Sequence, residues 1–142
     1  MFHAKLVPEL LCSDLQASLD FYTGLGGFEI LYERPEEGFA FIDLNGAQLM
    51  LEEAPEVTGD DRVWWTAEPR KPYGRGINLQ IEVEDADVLH QRLLDAQWPL
   101  FRPMEEKWYR VKDCMFGNRQ FLVQDSDGYL LRFFHDLGKR SV

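Results

Sequence analysis

The chain has 142 residues, 45% of them hydrophobic, which suits one compact domain with its own core. Its 25 acidic and 15 basic side chains give a net charge of −10, and this argues against a nucleic-acid partner because phosphates would be repelled. No apolar run approaches the ~20 residues that span a bilayer, and the first residues show no secretory signal. The two cysteines lack metal or disulfide-framework spacing. We therefore expect a cytoplasmic protein with no nucleic-acid or membrane partner.

The first half of the chain, residues 5–53, predicts a βαβββ module. Ser13 is the predicted helix N-cap, completed by Gln16 as a capping box. Asn45-Gly46 between two runs of strand formers predicts a hairpin with a two-residue turn. The predicted strands of this module are residues 6–11, 28–33, 39–44 and 47–53.

Residues 54–76 form a predicted connector, rich in proline and charge. Its two tryptophans, Trp64 and Trp65, are expected to cover the domain, line a ligand cleft or contact a second subunit.

The second half, residues 77–136, repeats the same order of elements. Residues 77–83 alternate between apolar and polar side chains, as a half-buried strand does, and Asp85 is the predicted N-cap of a helix. A second hairpin is predicted over residues 119–134, with its turn at Asp127-Gly128. A further strand is predicted over residues 104–111.

The two halves align with each other as an internal repeat. Val7 and Asn78 occupy equivalent places on the first strand of each half, and Met50 and Arg132 each lie four residues after a turn glycine. Neither half alone can cover both faces of its sheet. The predicted fold class is therefore α+β, with two βαβββ modules forming a shared curved sheet and helices on its convex side.

The chain resembles the vicinal oxygen chelate superfamily, which includes glyoxalase I, ring-cleaving dioxygenases and bleomycin-resistance proteins. The residues that carry the resemblance extend over nearly the whole chain. They are residues 7–11, 13–15, 21–22, 25–28, 116–121 and 125–129.

In metal-dependent members of that family, the ligands stand at positions that correspond here to Val7, Met50, Asn78 and Arg132. Valine has no donor atom, and methionine offers only a soft thioether. The positive charge of arginine would repel a divalent cation by several kcal/mol at the effective dielectric constant of a protein site. We find no other catalytic constellation among the three histidines, the two cysteines or the serines. The expectation is a protein without metal or other cofactor, and not an enzyme.

Strand parity predicts which side chains share the face of those four positions. The expected face mixes aromatic rings with carboxylates and amides, which suits a flat, cationic ligand. The predicted ligand-binding residues are Glu9, Phe39, Phe41, Gln48, Met50, Glu52, Asn78, Gln80, Glu82, Trp108, Phe121 and Arg132.

The resemblance is strongest to bleomycin-resistance proteins, which are acidic dimers that sequester a cationic antibiotic without modifying it. We therefore expect a homodimer that binds a cationic, aromatic small molecule. Exposure of Phe39, Phe41 and Phe134 in an open monomer is a further reason to expect the dimer. Two alternatives stay open. One is a superfamily enzyme with a displaced metal site that uses Glu9, Glu52 or Glu82, and the other is an interaction module that docks a protein through its tryptophans.

Overall fold

The computed structural model describes residues 2–55 and 64–142, and part of the predicted connector, residues 56–63, lies outside the described residues. The described chain divides into two units. Unit 1 comprises Met1–Arg75 with Ser126–Tyr129, and unit 2 comprises Gly76–Asp125 with Leu130–Val142. No helix within the described residues is long and apolar enough to cross a membrane.

Unit 1 contains the first βαβββ module. Its elements are β1 (Glu9–Cys12), α1 (Leu15–Leu19), β2 (Glu29–Arg34), β3 (Phe39–Leu44) and β4 (Ala47–Glu53). Helix α1 continues into a π-helical segment, Asp20–Leu25. The sheet has the order β1-β4-β3-β2, in which β1 and β4 are parallel and the other pairs are antiparallel.

Unit 2 contains the second module. Its elements are β5 (Asn78–Glu82), α2 (Ala86–Asp95), β6 (Leu100–Val111), β7 (Cys114–Gln124) and β8 (Leu130–Ser141). The strand order is again that of unit 1, β5-β8-β7-β6. The last three strands are longer than predicted, and β8 runs to Ser141 rather than ending at residue 134. The α+β class and the two βαβββ modules are thus confirmed, while their union into one curved sheet stays a prediction.

The helix starts show why two similar sequence signals differ in outcome. Asp85 caps α2 as predicted, since its carboxylate accepts from the N–H groups of Asp87 and Val88. For α1 the predicted cap was wrong by one residue. Asp14 is the N-cap, while the backbone N–H and hydroxyl of Ser13 both donate to the carboxylate of Asp127. Ser13 therefore ties the helix start to a distant turn instead of capping the helix.

The cores consist of aromatic and aliphatic side chains on the sheet faces that the helices cover. In unit 1 the rings of Phe21 and Tyr22 are fully buried beside Phe28. In unit 2 Phe121 and Phe133 are in contact, and Phe121 also meets His90 of α2. The opposite sheet faces carry both aromatic and polar side chains, and Phe39 and Phe41 on the opposite face of unit 1 are buried as well.

Candidate ligand-binding site

The register of the unit 1 sheet gathers six predicted site residues on one face. Glu9 of β1 pairs with Met50 of β4, Met50 pairs with Phe41, and Glu52 pairs with Phe39. Paired residues share a face and so do their i±2 neighbours. The predicted pairing across Asn45-Gly46 is confirmed, since Leu44 pairs with Ala47 and both turn residues have positive φ. This face, the unit 1 face, contains Glu9, Phe39, Phe41, Gln48, Met50 and Glu52.

Tyr32 and Arg34 of β2 lie beside Phe41 and Phe39 on the unit 1 face. Tyr32 stacks on Phe41 with ring centroids 5.0 Å apart, and the Arg34 guanidinium lies 4.0 Å from the centre of the Phe39 ring. Phe39 and Phe41 are consequently only 5% and 3% exposed, so the expectation that an isolated chain leaves them open was wrong. Sequence reasoning missed both covering residues, because a register shift between Ile30 and Tyr32 breaks the parity of β2.

Residues at the N-terminus close one end of the unit 1 face. The side chain of Gln48 donates to the carbonyl of Phe2 and to Asp43, and accepts from the N–H of Ala4 at 2.7 Å. The ring of His3 lies 5.1 Å from that of Phe41. The amide of Gln48 thus holds the chain terminus, and the open polar groups of this face are its carboxylates.

Glu9 and Glu52 form a carboxyl pair on the unit 1 face. Burial and a hydrogen bond with Glu9 raise the pKa of Glu52 to about 7, while the Arg34 guanidinium opposes that shift. Glu52 is therefore largely neutral below pH 7, and it becomes negatively charged when a cation approaches or the pH rises.

Replacing Glu52 with glutamine should change the pH dependence of stability. The folded-state pKa of about 7 lies above the usual 4.5, so the neutral form favours folding. This contribution is full below about pH 4.5 and is lost as the pH rises through 7. E52Q should thus match the wild type near pH 4.5 and exceed it in free energy of unfolding at pH 8, measured by urea denaturation.

The same change at Glu33, which lies on the other face, is the control. An equal offset at both pH values would contradict the assignment.

In unit 2 the first strand and the last strand present the predicted polar face. Asn78 pairs with Leu130, Gln80 with Arg132, and Glu82 with Phe134. Asn78, Gln80 and Glu82 are all exposed. The face predicted for Asn78, Gln80, Glu82 and Arg132 is therefore confirmed, and we call it the unit 2 face.

Phe121 lies on the other side of the sheet, so its predicted place on the binding face was wrong. It pairs with Phe133, while Arg132 pairs with Leu122. The loop between β7 and β8 holds five residues, because Gln124 pairs with Leu130, and an odd loop reverses the parity that a two- or four-residue turn implies. Phe121 is 0% exposed and belongs to the core against α2.

Trp108 also faces away from Arg132. It pairs with Gly117 and covers it, and the guanidinium of Arg140 lies 4.1 Å from its ring centre. A Cβ added at Gly117 would lie 2.7 Å from the indole, so only glycine permits this packing. Its neighbour Tyr109 is the aromatic residue of β6 that reaches the unit 2 face.

Sequence reasoning missed Gln120, which takes the place that parity had assigned to Phe121. Gln120 is 3% exposed, and its Nε2 donates to Glu105 Oε1 at 3.0 Å and to the Tyr109 hydroxyl at 2.8 Å. Its Oε1 and the Nε of Arg132 are buried without a hydrogen-bond partner among residues 2–55 and 64–142. A buried unsatisfied group costs about 1–3 kcal/mol. Only the register of β7 against β8 could have revealed this residue.

The positions that correspond to metal ligands in the resembling family do not fit a divalent cation. Met50, Asn78 and Arg132 lie on the faces described above, and Val7 precedes the first residue of β1 by two positions. A thioether, a neutral amide and a guanidinium supply no carboxylate or imidazole ligand.

Three further groups lie close enough to suggest a metal cluster, namely Asp85, Asp87 and His135, whose ligand atoms fall within 4.8 Å of one another. Each already has a structural partner. Asp85 caps α2, His135 Nδ1 accepts from the N–H of Ala86, and Asp87 binds Arg119, which lowers the pKa of Asp87. The cluster secures the start of α2 to the sheet.

These observations define a class: an α+β protein of two βαβββ modules, each of which presents a polar or aromatic sheet face away from its helix. The particular family follows from comparison with known proteins. The chain belongs to the glyoxalase/bleomycin resistance protein/dioxygenase superfamily, whose family model matches residues 3–133.

The chain is also similar to several solved structures. The chain is similar to TioX from Micromonospora sp. ML1, with 24% identity, a TM-score of 0.71 and coverage of 95% of this chain and 100% of that one. A superfamily member from Vibrio splendidus 12B01 shares 34% identity over 91% of this chain and 95% of that chain, with a TM-score of 0.41. Lactoylglutathione lyase from Agrobacterium tumefaciens shares 16% identity over 93% and 92% of the chains, with a TM-score of 0.62. No curated protein matches.

Proposed function

We propose that this protein binds and sequesters a cationic, aromatic small molecule without converting it, in the manner of bleomycin-resistance proteins, and that it does so as a homodimer. The observation that carries the proposal is the Glu9–Glu52 carboxyl pair on the same face as stacked aromatic rings. Aromatic faces and carboxylates are the two groups that attract a flat cation.

The protein's own Arg34 supports this choice of ligand. Its planar guanidinium stacks on the Phe39 ring. Its positive charge also lowers the pKa of Glu52 and so opposes the increase caused by burial. A planar cation is therefore stabilised on the unit 1 face by both kinds of interaction, which is what a ligand of this class requires.

Capture rather than catalysis is supported by the side chains at the four family positions. Val7, Met50, Asn78 and Arg132 do not provide a ligand set for a Lewis-acid metal. A binding role requires only side chains that complement the ligand, and each sheet has polar or aromatic side chains on the face away from its helix.

Cation binding is expected to release a proton. A bound cation lowers the pKa of Glu52 from about 7, so Glu52 releases its proton on binding. Affinity should therefore rise between pH 6 and pH 8, by up to about tenfold per pH unit where one full proton is released. Calorimetric titration with bleomycin and with proflavine, in buffers of different ionisation enthalpy, measures both quantities.

Neutral acridone is the matched probe for proflavine, and it should bind weakly and without proton release. The combined change E9Q and E52Q should weaken proflavine binding and remove its pH dependence. E33Q removes one charge from the opposite face of β2 and should change little. Absence of binding by every cation tested, or identical behaviour of acridone, would refute the proposal.

The dimer and the enzyme alternative have separate tests. Phe101 and Phe116 are 52% and 38% exposed, which supports their burial against a second subunit. Sedimentation as a monomer at micromolar concentration would refute the dimer.

A stoichiometric divalent metal in protein purified without chelators would instead favour an enzyme that uses the Glu9–Glu52 pair.

A further inference from the structure

Unit 2 contains a polar cluster that the cation-binding proposal does not use. It consists of Gln120, Arg132, Tyr109 and Glu105, which lie on the unit 2 face through the pairings of β6, β7 and β8. Gln120 is 3% exposed, and a side-chain amide so deeply buried is normally fully hydrogen-bonded.

The orientation of the Gln120 amide follows from its partners. Its Nε2 donates to the Glu105 carboxylate and to the Tyr109 hydroxyl. A flipped amide would place its oxygen against the Glu105 carboxylate, two acceptors in contact. The Oε1 atom is thereby directed away from β6 and has no partner within the described part of the chain.

Arg132 supplies the complementary group. Leu122, two residues from Gln120 on β7, pairs with Arg132, so Gln120 and Arg132 are diagonal neighbours on one face. The Nε of Arg132 is buried and is likewise unpartnered in residues 2–55 and 64–142. One buried acceptor and one buried donor therefore belong to diagonal neighbours on the same sheet face, and they do not bond each other.

We propose that Gln120 Oε1 and Arg132 Nε form a subsite for a neutral amide group. The ligand amide N–H donates to Gln120 Oε1, and its carbonyl oxygen accepts from Arg132 Nε. A carboxylate has no proton to donate, so its oxygen would face the lone pairs of Gln120 Oε1. The charge of Glu105 nearby would also repel it. A purely cationic donor group would leave Arg132 Nε without an acceptor. An amide satisfies both atoms. The subsite lies within unit 2, and the inference does not rest on cation binding by unit 1.

Three probes of nearly the same shape distinguish an amide, a carboxylate and a cationic group as the preferred ligand: benzamide, benzoate and benzamidine. Titration of ¹⁵N-labelled protein followed by NMR should give saturable shifts of the Arg132 Nε–H and Gln120 side-chain NH₂ signals with benzamide. The affinity for benzamide should exceed that for benzoate and benzamidine by at least about fivefold. Because benzamide is neutral, E9Q and E52Q should leave its binding unchanged, so the outcome is separable from the cation proposal.

Two variants remove one half of the subsite each. Q120M and R132M should each weaken benzamide binding at least about fivefold, and the second keeps the test available if the first fails to fold. Q91M, which removes an exposed glutamine from α2, is the matched control and should bind benzamide as the wild type does. Preference for benzoate, no shift with benzamide, or a long-lived water contact at Arg132 Nε–H that benzamide does not displace would overturn the inference.

Discussion

Replacing Phe121 with alanine is expected to lower the free energy of unfolding by about 3–5 kcal/mol. The ring is 0% exposed and contacts Phe133 and His90 within unit 2. Truncation therefore removes buried apolar area and leaves a cavity that a close-packed core fills only in part. Urea denaturation followed by tryptophan fluorescence and by circular dichroism measures the change.

Val88 provides the control for this experiment. It is 55% exposed on α2, and V88A should change the free energy of unfolding by less than about 1 kcal/mol. If F121A kept nearly full stability but lost affinity for an aromatic ligand, Phe121 would be a wall of the binding site, and the register of β7 against β8 would have to be revised.

Replacing Asp127 with alanine is expected to cost about 3 kcal/mol or more in free energy of unfolding. The side chain is 2% exposed, and its carboxylate accepts from the backbone N–H of Ser13 at 3.1 Å and from the Ser13 hydroxyl. Hydrogen bonds to a charged group contribute about 1.5–3 kcal/mol each. Lys71 Nζ lies 3.4 Å from the same carboxylate, but this exposed ammonium adds little.

Asp136 is the matched control for D127A. Its carboxylate also accepts from a backbone N–H, that of Gly138, but it is exposed, so D136A should cost less than about 1 kcal/mol. S13A combined with D127A should give a coupling energy of about 0.5–3 kcal/mol. Additive effects of the two changes would show that the Ser13–Asp127 contact does not stabilise the protein.

The two hairpins show how far local sequence determines register. Asn45-Gly46 supports a two-residue turn in which both residues adopt positive φ, and the pairing of Phe41 with Met50 follows from that turn alone. Asp127-Gly128 carries an equally strong local signal, yet the loop there spans residues 125–129. One residue of difference moved Phe121 into the core and Gln120 onto the unit 2 face.

The residues of the candidate site could be predicted from the sequence about as well as the register of the hairpins. The faces of Glu9, Glu52, Gln80 and Arg132 follow from alternation along short, regular strands. Tyr32 and Arg34 were missed because a register shift in β2 interrupts that alternation.

The sequence by itself determined the order of elements in the two βαβββ modules, the cap at Asp85 and the pairing across Asn45-Gly46, because each depends on residues close together in the chain. Only the tertiary structure decided the loop at residues 125–129. There Asp127 binds Ser13, and a Cβ at Gly128 would lie 2.5 Å from Pro72, so distant residues outweigh the local turn preference. The raised pKa of Glu52 has the same origin, since it arises from burial and from Glu9, 43 positions away in the chain.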